Sequence, residues 1–473
     1  MFLLERVFVL YAAAKLASTI APKSKLAPVA AMILFALIPK PILGNGTIVQ
    51  IYFEQTGMSI PFILLAMAAL YVNRQYLWAV WLALAFNMNS LYGMHAIVYF
   101  AAVMVIYPAY RREWKKWLAA IGLFVLVASP AIFYSAQAFL RESSDSDLWI
   151  LANQVRSLHH LFPMFWDKRV FVKFFALLFI VIAVIWQKKN EQKQLFKIGI
   201  VWAGVGVLWL VYAFIGTAVF ESPAMVIMQP ARATDFWYAF AGITLISICA
   251  LEIEKHVQSR RFLTIILLAC IFFWKPVILP FILIGLIFLL WEPLWKYVLL
   301  EGSPKRLSLI LVMLFFFLGL YTARGRVKSG SGGYIFVPPD RQVTTLADWA
   351  RESTNNDAVF LVNPATRWGN FRLLSERPVY VTWKDGSALL WDRSYTDIWI
   401  ERLKDLGYDI TRGRNMRSNR DEKLTAVYNS LTDDFIKNMK LKYKLDFWVV
   451  EKDHQSSYPV VYKTGDLKIL EIR

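Results

Sequence analysis

Apolar runs recur along the first two thirds of the chain, near 3–21, 27–43, 59–72, 76–88, 94–109, 115–136, 171–187, 198–220, 236–253, 262–275, 277–295 and 307–323. A bilayer core of about 30 Å takes about 20 apolar residues of helix, so the runs read as about twelve membrane spans. The fourth and tenth are short, and the WKP at 274–276 splits a longer run at a proline. The pattern then changes. RGRVKSGSGGYIFVPPD, 324–340, has the Gly, Ser and Pro content of a linker. Beyond it the periodicities are those of a small α/β domain. TTLADWARES from Thr344 predicts a helix with a capped start, and AVFLVN at 358–363 and RPVYVTW at 377–383 predict strands. LLWDRSYTDIWIERLKDLG puts Tyr395, Ile398, Trp399, Leu403 and Leu406 on one helical face ending at Gly407. DFWVVEK and the hairpin VVYKTGDLKILEI complete the domain. The expected organisation is a transmembrane domain over 1–323, the linker, and a soluble α/β domain over 341–473.

Composition agrees with the pattern. Hydrophobic residues are 58% of the chain and charged residues 18%, against about 25% charged in an ordinary soluble protein. The net charge of +18 is dispersed in short clusters between apolar runs, which argues against nucleic acid and for membrane topology. Loops after odd-numbered spans hold 17 Lys and Arg residues and those after even-numbered spans hold seven, so the odd side is expected in the cytoplasm and the soluble domain outside it. The expected location is a membrane that the chain spans many times. FLLERVFVLYAAAKLASTI, after Met1, carries Glu5, Arg6 and Lys15 and does not read as a signal peptide. Cys249 and Cys270 lie in apolar runs without metal-type spacing.

The same parity gathers polar groups at one membrane face. The loop 137–170 contains RSLHHLFPMFW, with Arg156 and adjacent His159 and His160, together with Asp145, Asp147 and Asp167. The loop ESPAMVIMQPARATD, 221–235, carries Gln229, Arg232 and Asp235; GNGTIVQIYFEQTGMS carries Glu54 and NSLYGMH carries His95. Each has an ordinary alternative: histidines and arginines at an interface anchor in headgroups, and loop acids are solvated. Adjacent histidines rarely reach one metal, and no HExxH spacing occurs, so no metal ligands are assigned.

Many spans followed by an extracytoplasmic α/β domain resemble the GT-C superfamily of integral-membrane glycosyltransferases. RSLHHLFPMFW resembles an Arg-x-x-His-His-x-x-Pro loop of bacterial GT-C-like proteins. MQPARATDFW resembles their later loop with an arginine before a span, and FRLLSERPVYVTWKDG a segment of their soluble domain. The resemblance implies a GT-C-like fold and a polyprenyl-phosphate-linked sugar donor used at the outer face, with a glycan, lipid or protein as acceptor, in cell-envelope glycan synthesis. Arg156, His159, His160, Gln229 and Arg232 are then the expected lipid-phosphate-binding residues. The general base expected in the first outer loop of that superfamily has no counterpart, because the first span and its loop are read as absent here. Glu54, Asp145, Asp147, Asp167 and Asp235 are the candidate substitutes, and a partner subunit supplying the missing part is one expectation. A divalent metal stays open as a cofactor. The alternative class is a non-catalytic protein of the membrane that binds or transports a lipid-linked glycan, or a scaffold.

Overall fold

The computed structural model describes residues 2–37, 55–108, 112–139, 145–255 and 340–473. The spans expected after residue 261 and all but the last residue of the linker lie outside the described residues. The chain divides into two compact units, Met1–Phe139 with His159–Ile335, and Leu140–Leu158 with Phe336–Arg473.

The first unit is helical. Its long helices are α1 Phe2–Ile20, α2 Leu26–Leu37, α3 Gln55–Tyr71, α4 Gln75–Met88, α5 Ser90–Ile106 and α6 Trp114–Phe139. After α7, Ser146–Arg156, which belongs to the second unit, come α8 Lys168–Gln187, α9 Lys193–Phe214 and α10 Thr234–Lys255. These coincide with the nine apolar runs before residue 255. Among the described residues four stretches are long and apolar enough to cross a membrane: Trp114–Gln137, Lys168–Gln187, Lys193–Val219 and Pro223–Leu251. Several helices of this length and composition point to a membrane protein. Helix α4, with 14 residues, reaches only about 21 Å at 1.5 Å per residue, less than a bilayer core.

Apolar solvent permits no unsatisfied backbone, which is why these runs are helices. Burial separates a central helix from a peripheral one: 94% of the apolar window of Pro223–Leu251 is buried, against 11% of that of Trp114–Gln137. On α6, Leu118, Ile121, Val125, Leu126 and Phe133 point outward, the arrangement expected of a helix facing lipid. Helices α4 and α5 turn back on each other closely enough that a Cβ on Gly93 would lie 2.5 Å from the Phe86 backbone, so only glycine fits.

Contacts at the helix ends fall into two sets. At one end Asn89, before α5, donates from Nδ2 to Thr56 Oγ1 at the start of α3 (3.1 Å). At the other, the Lys25 and Leu26 N–H groups donate to Glu254 Oε1 at the end of α10 (3.0 and 2.9 Å). This carboxylate from a neighbouring helix satisfies open donors at the N-terminus of α2. Gln75 at the start of α4 donates to Glu113 before α6, and Tyr107 after α5 donates to Lys197 O in α9.

The second unit is a small mixed sheet, β1 Phe360–Leu361, β2 Phe447–Glu451, β3 Val460–Thr464 and β4 Leu467–Glu471, in the order β1-β2-β4-β3. β1 runs parallel to β2; the other pairs are antiparallel. Helices α11 Arg341–Ser353, α12 Tyr395–Asp405, α13 Arg420–Asn429 and α14 Asp433–Tyr443 surround it. Val343, Leu346 and Ala350 of α11 share a core with Phe360, Phe371, Val449 and Ile469.

Three local expectations need correction. Helix α11 starts at Arg341 rather than Thr344, because Asp340 caps it, accepting from Gln342 N and Val343 N (3.0 and 3.3 Å). The stretch 377–383 is not a strand. It makes a single parallel bridge, Val379 to Phe360, and its residues 379–383 are all buried rather than alternately buried. Pro378 has no N–H to give a ladder, and the Asp385 carboxylate accepts from Thr382 N (2.7 Å), turning the chain into the 3-10 helix Trp383–Leu390. In α12, Thr396, Trp399, Ile400 and Leu403 are buried and Ile398 is 45% exposed. The helix is rotated toward Gly386, whose missing side chain makes room for the Trp399 ring. It stops as expected at Gly407, where φ is +91°.

The loop after α6 contributes α7 to this second unit. Trp149 is fully buried and donates from Nε1 to Leu389 O (2.7 Å), and Arg393 lies 5.2 Å from its ring centroid. Trp149→Ala should therefore destabilise the unit by about 3–5 kcal/mol, as other buried Trp truncations do. Trp149→Phe, which loses mainly the N–H bond, should cost about 1 kcal/mol. Thermal unfolding of the full chain in detergent measures both, and an Ala variant that melts like the parent would disprove the insertion.

Candidate functional site

The polar residues of the sequence-predicted site are distributed over both units. Asp145 and Asp167 are helix caps. Asp145 Oδ1 accepts from Asp147 N (2.9 Å) at the start of α7, and Asp167 Oδ1 from Arg169 N (2.9 Å) at the start of α8. Asp167 is also ion-paired with Arg169, and these hydrogen bonds hold its carboxyl down at about 2. Asp147 is exposed in the first turn of α7. Glu54 lies outside the described residues. Arg156 is part of the second unit, donating from Nε to Trp383 O (3.1 Å) and from Nη2 to Ser387 Oγ (2.9 Å). His159 and His160 sit on the helical turn Leu158–Leu161, where the chain enters the first unit, and His160 is half-buried.

Gln229, Arg232 and Asp235 are brought together in the first unit. Gln229 adopts a left-handed conformation (φ 45°, ψ 51°) that ends the short helix Pro223–Ile227 and begins the 3-10 turn Pro230–Ala233. Pro230 fixes the next φ, and the turn aims Arg232 back so that its Nη1 donates to Gln229 Oε1 (3.0 Å). Thr234 closes the turn by donating to Ala231 O (2.7 Å), which starts α10 with Asp235 in its first turn.

Helix α5 supplies the other half. Asn89 Oδ1 accepts from Tyr92 N (3.0 Å) and fixes the start of the helix. Tyr92, His95 and Tyr99 then fall at i, i+3 and i+7, one helical face. Tyr92 donates to Asp235 Oδ2 (2.5 Å), and its ring lies under the Arg232 guanidinium at 5.5 Å from centroid to Cζ. Tyr99 donates to Ala233 O (2.9 Å). His95 Nε2 is 2.7 Å from Met228 O, and because a carbonyl only accepts, Nε2 carries the proton. His95 and Asp235 are fully buried, yet His95 Nδ1 and Asp235 Oδ1 have no hydrogen-bond partner among the described residues. Arg232, by contrast, is only half-buried.

The arrangement is thus a guanidinium at the bundle surface, shouldered by an amide, with a carboxylate and an imidazole buried behind it. Guanidinium and amide donors suit an oxyanion, while the open Asp235 oxygen and His95 nitrogen are acceptors for a hydroxyl or ammonium proton. Among the described residues no group of three or more His, Cys, Asp or Glu is placed to hold a metal. Sequence reasoning missed Tyr92 and Tyr99. The signal was available in SLYGMHAIVYF, where three hydrogen-bonding aromatics share one face of an otherwise apolar helix.

Residues 341–406 match a domain of unknown function, DUF6798. The match covers α11 to α12 of the second unit and includes FRLLSERPVYVTWKDG. No curated protein matches the chain.

The Tyr92 to Asp235 bond is the link between α5 and α10 that the site depends on. Tyr92→Phe should cost about 1–3 kcal/mol, because it leaves a buried carboxylate oxygen without its donor. Asp235→Asn added to Tyr92→Phe should cost less than the sum of the two changes, with a coupling above about 0.5 kcal/mol. Detergent-phase thermal unfolding of the two single variants and the double variant measures this, and strict additivity would show that the two side chains do not interact.

Proposed function

We propose that the chain is a membrane glycosyltransferase of the GT-C type that takes a sugar from a polyprenyl-phosphate donor at the extracytoplasmic face of a bacterial inner membrane. The observation that carries this reading is the meeting of Arg232 and Gln229 with Asp235 at the end of the helical unit where α3 and α5 begin. Arg232 takes the phosphate of the donor and stabilises the charge that grows on it as the bond from sugar C1 to phosphate oxygen breaks. Asp235 accepts the proton of the acceptor hydroxyl as its oxygen bonds to C1. Tyr92 holds the carboxylate in place. The net change is one glycosidic bond made, one phosphate ester bond broken, and one proton passed to the carboxylate.

A second reading has its own support. Asp235 is fully buried and one of its oxygens is engaged by Tyr92. A carboxylate so enclosed also suits a protein that binds a lipid-linked glycan without reacting with it.

The two readings part on one pair of variants, measured in nanodiscs with a polyprenyl-phosphate sugar. Charge-assisted contacts contribute about 1.5–3 kcal/mol each, so Arg232→Ala should weaken binding about tenfold or more under either reading. Asp235→Asn should abolish transfer while leaving binding within about threefold if the enzyme reading holds. Tight binding by the parent without any transfer supports the second reading, and binding indifferent to Arg232→Ala defeats both. Cysteines introduced near residues 190 and 430 test the orientation. Membrane-impermeant reagent should label only the second from outside intact cells, and the reverse would invert it.

A further inference from the structure

At the end of α5 away from Tyr92, the helical unit is hollowed on its outer side. A cavity of about 320 Å³ lies between the last turn of α5, through Met104 and Val105, and the first turns of α6, through Trp114, Trp117 and Ile121. The three α6 residues stand at i, i+3 and i+7, so one face of that helix forms a wall. Its floor is firm, because Trp117 is buried with its ring centroid 5.3 Å from that of Trp78, itself buried. Its rim is open, and Val105, Trp114 and Ile121 are exposed there.

On an ordinary soluble surface such an apolar hollow would call for another protein. Helix α6, however, is long and apolar enough to cross a membrane and only 11% of its apolar window is buried, so the medium expected against this face is hydrocarbon. Packed proteins leave few voids, and an apolar void does not fill with water. An apolar chain is the filler that suits it.

The charge at the mouth narrows the choice. Lys115 is exposed, and its Nζ stands 5.9 Å from the centroid of the Trp114 ring that forms part of the rim. Arg112, two residues before Trp114, is exposed on the turn that leads into α6, where its N–H donates to Pro108 O (3.1 Å). Neither cation has a carboxylate partner among the described residues. Glu113, the acid of this turn, is engaged elsewhere: it accepts from Lys116 Nζ (3.1 Å) and from Gln75. The charge of Lys116 is thus met, and those of Lys115 and Arg112 are not. Tryptophan flanked by cations is the arrangement favoured where hydrocarbon gives way to headgroups, and there the cations meet lipid phosphates. A zwitterionic lipid would fill the hollow but bring no net negative charge to these two groups.

We propose that the hollow is a binding site for one anionic phospholipid, with an acyl chain lying between α5 and α6 and the phosphate held by Lys115, Arg112 adding charge from the same turn. The site uses residues of the helical unit alone and depends on neither the glycosyltransferase reading nor the orientation of the chain.

The experiment places a bimane fluorophore on Val105→Cys at the rim, in the full chain in phosphatidylcholine nanodiscs, with the parent chain treated alike to correct for labelling of Cys249 and Cys270. Part of the lipid is then replaced by phosphatidylglycerol with brominated chains or, at equal mole fraction, by phosphatidylcholine with brominated chains, since bromine quenches the fluorophore at close range. A cation near the membrane surface favours an anionic lipid by about fivefold, so the phosphatidylglycerol should quench as though enriched about fivefold or more. Leu126→Cys, exposed on α6 beyond the hollow, should show no such preference. Lys115→Gln should lower the enrichment severalfold, Lys115→Arg should keep it, and Lys115→Gln with Arg112→Gln should abolish it. Equal quenching by the two lipids at Val105→Cys, the same preference at Leu126→Cys, or a preference that survives the double change would overturn the site. So would quenching at Leu126→Cys with none at Val105→Cys, the result expected if another segment of the chain fills the hollow.

Discussion

A carboxylate enclosed in an apolar helical bundle must be given a donor, and the rest of the candidate site follows from how Asp235 obtains one. The Tyr92 hydroxyl reaches it from α5, which sets the register of α5 against α10 at that end of the helical unit. Once the register is set, Tyr99 meets Ala233 O and His95 meets Met228 O on the same helical face. The 221–235 segment is thereby bound to α5 at successive turns of one helix, and Arg232 is carried above the Tyr92 ring. Losing a single hydroxyl therefore loosens a whole loop, because burial makes an unmet polar group expensive where water cannot replace it.

The opposite end of the bundle is governed by the same physics with different groups. Backbone donors at the start of α2 are met by Glu254 from α10, and the side-chain amide of Gln75 by Glu113. Helix ends in an apolar medium carry open N–H groups, and at α2 an acid from a neighbouring helix meets them. Several acidic residues serve as caps, Asp145, Asp167 and Asp340 among them. Asp235 differs from these caps in being buried, with Oδ1 lacking a hydrogen-bond partner among the described residues.

Much of the helical unit is legible in the sequence because hydropathy over a run of residues reports directly on an apolar environment. Each of the nine runs before residue 255 holds a helix among its described residues. Where reasoning fails, a local pattern is overruled by a contact distant in sequence. RPVYVTW alternates like a strand, but its residues are buried on both faces and Asp385 turns the chain. Ile398 fits a helical face, but the space left at Gly386 draws Trp399 inward and rotates the helix. Arg156 and Arg232 are similar residues in similar loops, yet they belong to different units, because Trp149 buries α7 among residues more than two hundred positions later. No periodicity records a partner so far along the chain. Tyr92 escaped notice for a related reason: a tyrosine in an apolar run is unremarked until the acid it serves is known.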